Sequence, residues 1–127
     1  MNTDHIVTRK WLIVTDMDDH PIPVKFVLHT EQRTLEVVFD NGDQFALPWE
    51  YLRVYSPSAE VRARVKQERK LVTNKQSVAI TEIRPVGNYA VKLLFDDGHN
   101  TGIYDWRYLY DLGSNHERYW QEYLNQL

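Results

Sequence analysis

The stretch Leu-Glu-Val-Val-Phe-Asp-Asn-Gly at residues 35–42 recurs in similar form at residues 91–98, as Val-Lys-Leu-Leu-Phe-Asp-Asp-Gly. In each copy, alternating apolar residues precede Asn-Gly or Asp-Gly, the dipeptides favoured where a two-residue turn needs positive φ at both positions. A second repeated string follows, Trp-Glu-Tyr-Leu at 49–52 and Trp-Arg-Tyr-Leu at 106–109. The pattern therefore predicts an internal repeat in which each copy contains a β-hairpin.

Outward from each hairpin, the pattern predicts three strands followed by a short helix. In the first copy Pro48 suits the first helical position, because its ring fixes φ near the helical value. In the second copy Asp105 suits the N-cap, and the helix is expected to stop before Gly113. The predicted fold class is α+β, with two repeated βββ-α units built on antiparallel hairpins. The expected strands cover residues 24–29, 34–40, 44–47, 78–84, 89–96 and 101–104.

A last helix is predicted from Ser114, because Glu117 stands at the spacing of a capping box. Its apolar residues fall on one face, which is the pattern of a helix that docks on a core, so we expect it to pack on the sheets. Near the N-terminus, the apolar run at residues 11–14 is a candidate edge strand. The apolar residues of the last helix are Tyr119, Trp120, Tyr123, Leu124 and Leu127.

Composition indicates one domain, because 127 residues with 43% hydrophobic content can build one core. We expect a single domain over residues 1–127, with an N-terminal extension at 1–22. The absence of cysteine excludes disulfides, thiolate catalysis and a cysteine-ligated zinc or iron–sulfur site within this chain. The opening residues do not have the pattern of a signal peptide, and no run approaches the roughly 20 apolar residues of a membrane span. A cytoplasmic location without membrane attachment is expected.

Charge is unevenly distributed along the chain. The net charge is −3, which gives no global reason to expect nucleic acid as partner. Residues 60–75 nonetheless hold six cations against Glu60 and Glu68. We interpret residues 62–76 as a basic flexible segment and a candidate interaction surface, although such a run is usually a solvated face. Its cations include Arg62, Arg64, Lys66, Arg69 and Lys70.

One group of acidic residues contains side chains that metal binding could use. Asp16, Asp18, Asp19 and His20 lie close together in the sequence. A calcium loop of the EF-hand type, however, needs Gly where this chain has Pro21, and no bidentate Glu follows at the required place. We therefore interpret this group as an exposed acidic turn.

The surroundings of His99 are the other candidate, here for general acid–base chemistry. Asp96 and Asp97 precede His99, and Tyr104 and Asp105 follow it. Asp97 is expected to be used by the turn, and a His just after a turn is more often a polar cap of the hairpin than a catalyst. We assign no catalytic residue, and a small enzyme or ligand-binding protein centred on His99 remains the alternative.

Three strings are specific in combination. They are Leu-Arg-Val-Tyr-Ser-Pro-Ser-Ala-Glu-Val at 52–61, Pro-Val-Gly-Asn-Tyr-Ala-Val at 85–91, and Phe-Asp-Asp-Gly-His at 95–99 with Gly-Ile-Tyr-Asp-Trp at 102–106. Together they resemble the gamma-butyrobetaine hydroxylase-like N-terminal domain family, long catalogued as a domain of unknown function. The resemblance spans residues 24–124 and is to the stand-alone bacterial form.

The contexts of that family imply an accessory role. Its domain precedes the dioxygenase domain of carnitine-synthesis hydroxylases, is appended to some ATPase scaffolds of iron–sulfur cluster assembly, and stands alone in bacteria. None of these contexts gives the domain a reaction of its own. The resemblance therefore implies a docking or accessory protein linked to iron–sulfur or redox metabolism.

The resemblance also implies a degenerate metal site. Metal-binding members hold zinc with a Cys-x-Cys-x-x-Cys run after the Leu-Arg of the first helix and with the His after the second Asp-Gly. The corresponding positions here are Ser56, Ser58, Val61 and His99. Zinc prefers four strong ligands, which this set does not supply, so we expect no metal and no cofactor. Ser56 or Ser58 is expected instead to cap a helix that begins with Pro57.

The leading hypothesis is a non-catalytic accessory or protein-docking domain, not an enzyme, whose partner is another protein. One alternative is the small enzyme or ligand-binding protein centred on His99. A second is a weak nucleic-acid binder that uses the cations of residues 62–75. The sequence is silent on the identity of the partner and on the oligomeric state.

Overall fold

The computed structural model describes residues 5–8, 20–57 and 74–127, with the backbone alone for residues 5–8. The strands within these ranges are β1 (His5–Thr8), β2 (Pro23–His29), β3 (Thr34–Phe39), β4 (Gln44–Pro48), β5 (Ile80–Val86), β6 (Ala90–Phe95) and β7 (Gly102–Asp105). The helices are α1 (Trp49–Val54), α2 (Trp106–Ser114) and α3 (His116–Leu124).

The strands form two antiparallel sheets, in the orders β1-β2-β3-β4 and β5-β6-β7. We call β1–β4 with α1 the first half and β5–β7 with α2 the second half. The predicted α+β class with a repeated βββ-α unit is confirmed. The run at residues 11–14 lies outside the described residues, and the strand that pairs with β2 at the edge of the first sheet is β1.

The two halves repeat the same backbone contacts where each central strand meets its turn. Asp40 N donates to Ile22 O at 2.8 Å, and Asp40 Oδ1 accepts from Ile22 N at 3.1 Å. Asp96 and Ala79 make the same two bonds, at 2.9 and 3.0 Å. The repeat seen in the sequence is therefore a repeat of backbone geometry as well.

The hairpin loops have three residues, not the predicted two. Phe39 N donates to Asp43 O at 2.8 Å and Gly42 N donates to Phe39 O at 3.0 Å, the pattern of a turn closed by a bulge. Positive φ occurs at the glycine of each loop, 92° at Gly42 and 88° at Gly98. The prediction of positive φ at the preceding residue was wrong, because Asn41 Oδ1 accepts from Asp43 N at 3.0 Å and holds a local turn instead.

Element bounds near the helix starts and β5 differ slightly from the prediction. Pro48 precedes the helix as its N-cap, since its ψ of 143° is extended, and α1 begins at Trp49. Strand β5 was predicted at residues 78–84 and is observed at Ile80–Val86. Val78 is buried in the core although it lies before the strand.

Both sheets and the helices cover one hydrophobic core. The hydroxyls of Tyr51 in α1 and Tyr108 in α2 tie the two halves together, because Tyr51 donates to Leu112 O and Tyr108 donates to Tyr55 O. We predicted that the two repeat copies would contribute equivalent residues to a shared core. This is confirmed, because one buried cluster contains Phe39, Trp49 and Leu52 together with Phe95, Trp106 and Leu109.

The end of α2 corrects one prediction about a glycine. The helix continues through Gly113 to Ser114, so Gly113 does not stop it. Its role is close packing, since a Cβ at Gly113 would stand 2.3 Å from Cδ2 of the Phe45 ring. At the other end of α2, Asp105 is the N-cap as predicted, and its side chain accepts from Tyr108 N at 2.8 Å.

The last helix starts later than predicted and docks along only part of its apolar face. It begins at His116, Asn115 is the N-cap without a side-chain bond, and the proposed capping box from Ser114 was therefore wrong. Tyr123 is buried, and Tyr119 and Trp120 pack against the core. Leu124 and Leu127 are 40% and 65% exposed, because α3 ends at Leu124 and the chain leaves the core there. Among the described helices, none has the length and apolar character to cross a membrane.

Candidate functional site

Ser56 and His99, two of the four positions of the predicted degenerate metal site, lie in contact. Ser56 follows α1 and is fully buried, and His99 follows the β6–β7 turn. The Oγ and Nε2 atoms are 2.7 Å apart. The other two positions, Ser58 and Val61, lie outside the described residues. The helix expected after Pro57 lies in that same segment, so its cap stays a prediction.

Gly102 makes room for the contact between serine and histidine. A Cβ at Gly102 would stand 2.6 Å from Ser56 Oγ and 3.1 Å from Cε1 of Tyr104. Gly102 is the counterpart of Phe45 in the first half, because the two residues have the same position in the register of their sheets. The Phe45 ring packs there against Gly113. In the first half, the residue at this position is therefore an aromatic ring that packs on a glycine. In the second half, the residue at this position is a glycine that leaves room for the contact between Ser56 and His99.

Asp97 joins three separate segments at this site. Its Oδ2 accepts from Arg53 Nε at 2.9 Å and from Lys75 Nζ at 2.8 Å, and its Oδ1 accepts from His99 N at 3.1 Å. Desolvation alone would raise the pKa of Asp97, but the bonds from Lys75, the His99 backbone and Arg53 together lower it to about 2. The carboxylate therefore stays ionised near neutral pH, and its predicted use by the turn is confirmed.

Tyr104 lies on β7, and its side chain also has a structural role. It is fully buried, and its hydroxyl donates to Leu52 O at 2.5 Å. Burial raises the pKa of Tyr104 above its usual range, against smaller opposing effects of a hydrogen bond with Ser56 and the charge of Arg53. The phenol is therefore neutral at physiological pH, and its proton is held by a backbone carbonyl.

The remaining carboxylates of the predicted cluster accept hydrogen bonds from backbone N–H groups. Asp96 Oδ1 accepts from Ala79 N at 3.0 Å, and Asp105 Oδ1 accepts from Tyr108 N at 2.8 Å. Of the residues around His99 in the sequence, Asp96 and Asp97 lie with it at the β6–β7 turn, whereas Asp105 lies opposite Ala90 at the far end of β7, so the predicted cluster forms only in part. Each of their polar side chains has a structural partner, so the arrangement suits joining segments better than moving protons.

Metal-binding residues do not converge within the described part of the chain. Among residues 20–57 and 74–127, no three His, Asp or Glu side chains are placed as metal ligands would be. Of the acidic group near the N-terminus, only His20 is described, and its Nδ1 lies 3.2 Å from Pro21 O. Asp16, Asp18 and Asp19 lie outside the described residues. The expectation that the chain binds no metal stays a prediction.

The cationic run predicted as an interaction surface lies outside the described residues, from Arg62 to Lys70. Lys75, just after it, is described and forms the ion pair with Asp97. Sequence reasoning did not foresee Lys75 or Arg53 as partners of this carboxylate. No sequence spacing points to those pairs, because the three segments are far apart in the sequence and meet only in the folded structure.

Comparison with known proteins identifies the family. The family model described as gamma-butyrobetaine hydroxylase-like, N-terminal, matches residues 26–110, and the chain belongs to this family. The match lies inside the 24–124 span that the sequence motifs indicated. A comparison with curated protein sequences found no match.

Solved structures show the same fold. A crystal structure of a protein of unknown function from Acidithiobacillus ferrooxidans, of the DUF971 family, is 40% identical, with a TM-score of 0.61 over 72% of this chain and 91% of that chain. An NMR solution structure is 52% identical, with a TM-score of 0.74 over 90% of this chain and 85% of that one. Another NMR structure is 40% identical, with a TM-score of 0.72 over 84% of each chain.

Proposed function

We propose that this protein is a non-catalytic accessory domain that acts by docking to a protein partner. The observation that carries the proposal is the use of the polar groups around His99. Asp97 is bound by Arg53 and Lys75, and the His99 ring is bound to Ser56. These side chains hold the second hairpin against the end of α1. Groups already used in this way are poor candidates for the changing proton positions of catalysis.

The setting of this role follows from family context. The domains that this chain resembles are attached to oxygenases and to ATPase scaffolds of iron–sulfur cluster assembly, where an accessory domain contacts a larger protein. This context supports a role in iron–sulfur or redox metabolism in the bacterial cytoplasm. The crystallised relative is itself described as a protein of unknown function.

The surface that we expect to meet the partner is the cationic run that begins at Arg62. The five cations named above, Arg62, Arg64, Lys66, Arg69 and Lys70, would favour an acidic partner surface and speed the encounter. Lys75, which follows this run in the sequence, forms an ion pair with Asp97 at 2.8 Å.

The test is capture of the tagged protein with its partner from the native cell, followed by measurement of Kd with the purified partner. Three variants are compared: the five-fold change of those cations to Gln, His99→Ala, and Arg84→Gln as a control for losing one exposed charge. We expect at least tenfold weaker binding for the five-fold variant and little change for the other two. Circular dichroism checks that each variant is folded.

Two results would count against the proposal. Equal affinity of the five-fold variant and the wild type would remove the cationic surface from the account. An enzymatic turnover that His99→Ala abolishes in a folded protein, with partner binding unchanged, would favour the enzyme centred on His99.

A further inference from the structure

The two tryptophans that open α1 and α2 differ in one hydrogen bond. Trp106 Nε1 donates to Asn88 O at 2.9 Å. Trp49 is only 3% exposed, and its Nε1 is buried without an acceptor among the described residues. Buried N–H groups without a partner are rare in folded proteins, and each one calls for an explanation. The difference between two repeat-related positions points to an acceptor that the first half does not itself supply.

The loop beside Trp49 accounts for the missing acceptor. Residues 30–33 connect β2 to β3, whereas the shorter run at residues 87–89 connects β5 to β6. Both loops accept the backbone N–H of the tryptophan, Arg33 O from Trp49 N at 3.0 Å and Tyr89 O from Trp106 N at 3.2 Å. With its extra residue, the first loop presents no carbonyl to the indole.

In the first loop, the residue that lies against the Trp49 indole is Arg33. Its guanidinium carbon lies 5.0 Å from the centroid of the Trp49 ring, and its Nη2 donates to Val78 O. Its φ of 57° is in the left-handed region, which a non-glycine residue rarely adopts and which is enriched at ligand clamps. Within the described part of the chain, no carboxylate pairs with this guanidinium. The surroundings of the Trp49 indole therefore contain several hydrogen-bond donors and a positive charge, but few hydrogen-bond acceptors.

We propose that Trp49 and Arg33 form a binding site for an oxyanion, the carboxylate or phosphate group of a small molecule. One ligand oxygen accepts from Trp49 Nε1, and a second accepts charge-assisted bonds from the guanidinium, which suits planar and bidentate recognition. Because the guanidinium covers the indole, binding exchanges its bond to Val78 O for bonds to the ligand. This site adds a small-ligand function to the proposed docking role and does not depend on it.

The test follows the indole N–H resonances of Trp49 and Trp106 by NMR on the ¹⁵N-labelled full chain. Sodium phosphate and sodium acetate are titrated separately at constant pH and ionic strength. We expect a saturable shift of the Trp49 indole resonance and none at Trp106, which already has its acceptor. A response to phosphate alone assigns the site to phosphate compounds, and a response to acetate extends it to carboxylates.

Two variants make the test specific. Arg33→Asn removes the cation while tolerating positive φ, and we expect it to weaken the anion response at least tenfold. Arg84→Gln, which removes an exposed charge on β5, should leave the response unchanged. Backbone amide spectra confirm that both variants are folded. The proposal is overturned if neither anion shifts the Trp49 resonance, if Arg33→Asn responds like the wild type, or if the indole contacts a long-lived water that neither anion displaces.

Discussion

Tyr51 and Tyr108 hold the same position in the two repeat copies, and each donates its hydroxyl to the opposite half. Tyr51 Oη donates to Leu112 O at 2.7 Å, and Tyr108 Oη donates to Tyr55 O at 2.5 Å. Tyr55 and Leu112 are likewise the same number of residues after the tryptophan that opens each helix. The bonds are therefore reciprocal, and each half supplies the acceptor for a tyrosine hydroxyl of the other.

Removing the Tyr51 hydroxyl should be costly. Tyr51→Phe leaves Leu112 O buried without that donor, and we expect it to lower the free energy of unfolding by about 1–3 kcal/mol. Tyr108→Phe should cost less, because its bond is only partly buried and water can replace the donor. Urea unfolding measures both, with Tyr89→Phe as the control because Tyr89 is 55% exposed. Wild-type stability of Tyr51→Phe would contradict the reciprocal arrangement.

Gly113→Ala should destabilise the protein, although alanine is ordinarily better than glycine inside a helix. The new Cβ would stand 2.3 Å from the Phe45 ring, and overpacking of this kind costs about 1–3 kcal/mol. Phe45→Leu in the Gly113→Ala background should restore part of the loss. A Gly113→Ala protein more stable than the wild type in urea would show that the ring does not lie against this glycine.

The ion pairs of Asp97 should make the stability of the protein depend on pH. Its folded-state pKa of about 2 lies below the unfolded value of about 3.9, so its ion pairs contribute stability that is present above pH 4 and lost as pH falls through 2. Solvent screening at this exposed position reduces the contribution to about 1 kcal/mol. The Asp97→Asn variant should therefore be less stable than the wild type at pH 7, and the gap should close below pH 3. A gap that stays constant from pH 7 to pH 2 would refute the assignment.

Local chemistry made the hairpins and the α2 N-cap predictable from sequence. Gly42 and Gly98 mark the turns because only glycine adopts their φ without strain, and Asp105 caps α2 through its own side chain. The prediction that Gly113 stops the helix was wrong. Glycine is needed at this position because the Phe45 ring, which is distant in the sequence, packs against it. Long-range contacts of this kind leave no local pattern.

The candidate site was predictable only in part. The family resemblance grouped Ser56 with His99, and the structure places them 2.7 Å apart. The sequence predicted that the turn would use Asp97 and that Asp105 would cap α2, but it did not predict the ion pairs of Asp97. Whether Asp97 also pairs with Arg53 depends on how the two halves pack, which sequence spacing does not determine.

The predicted degenerate metal site can be tested by a direct measurement. Protein purified without chelator from zinc-supplemented cells should contain less than about 0.1 equivalents of zinc, because one imidazole and two hydroxyls are poor ligands. The matched variant changes Ser56, Ser58 and Val61 to Cys and should take up about one equivalent. Stoichiometric zinc in the wild-type protein, measured by elemental analysis, would overturn the expectation that the site is degenerate.

The central claim is that the two halves form one cooperative unit, with the His99 cluster as part of their contact. Phe39 and Phe95 occupy equivalent places in the shared core and are 1% and 4% exposed. Truncating either to Ala should cost about 3–5 kcal/mol. Native-state hydrogen exchange of Phe39→Ala tests the claim most directly. The account predicts that amides of β6 lose protection together with those of β3, because both belong to one core. Full protection of β6 beside a loosened β3 would show two independent halves and would contradict the account.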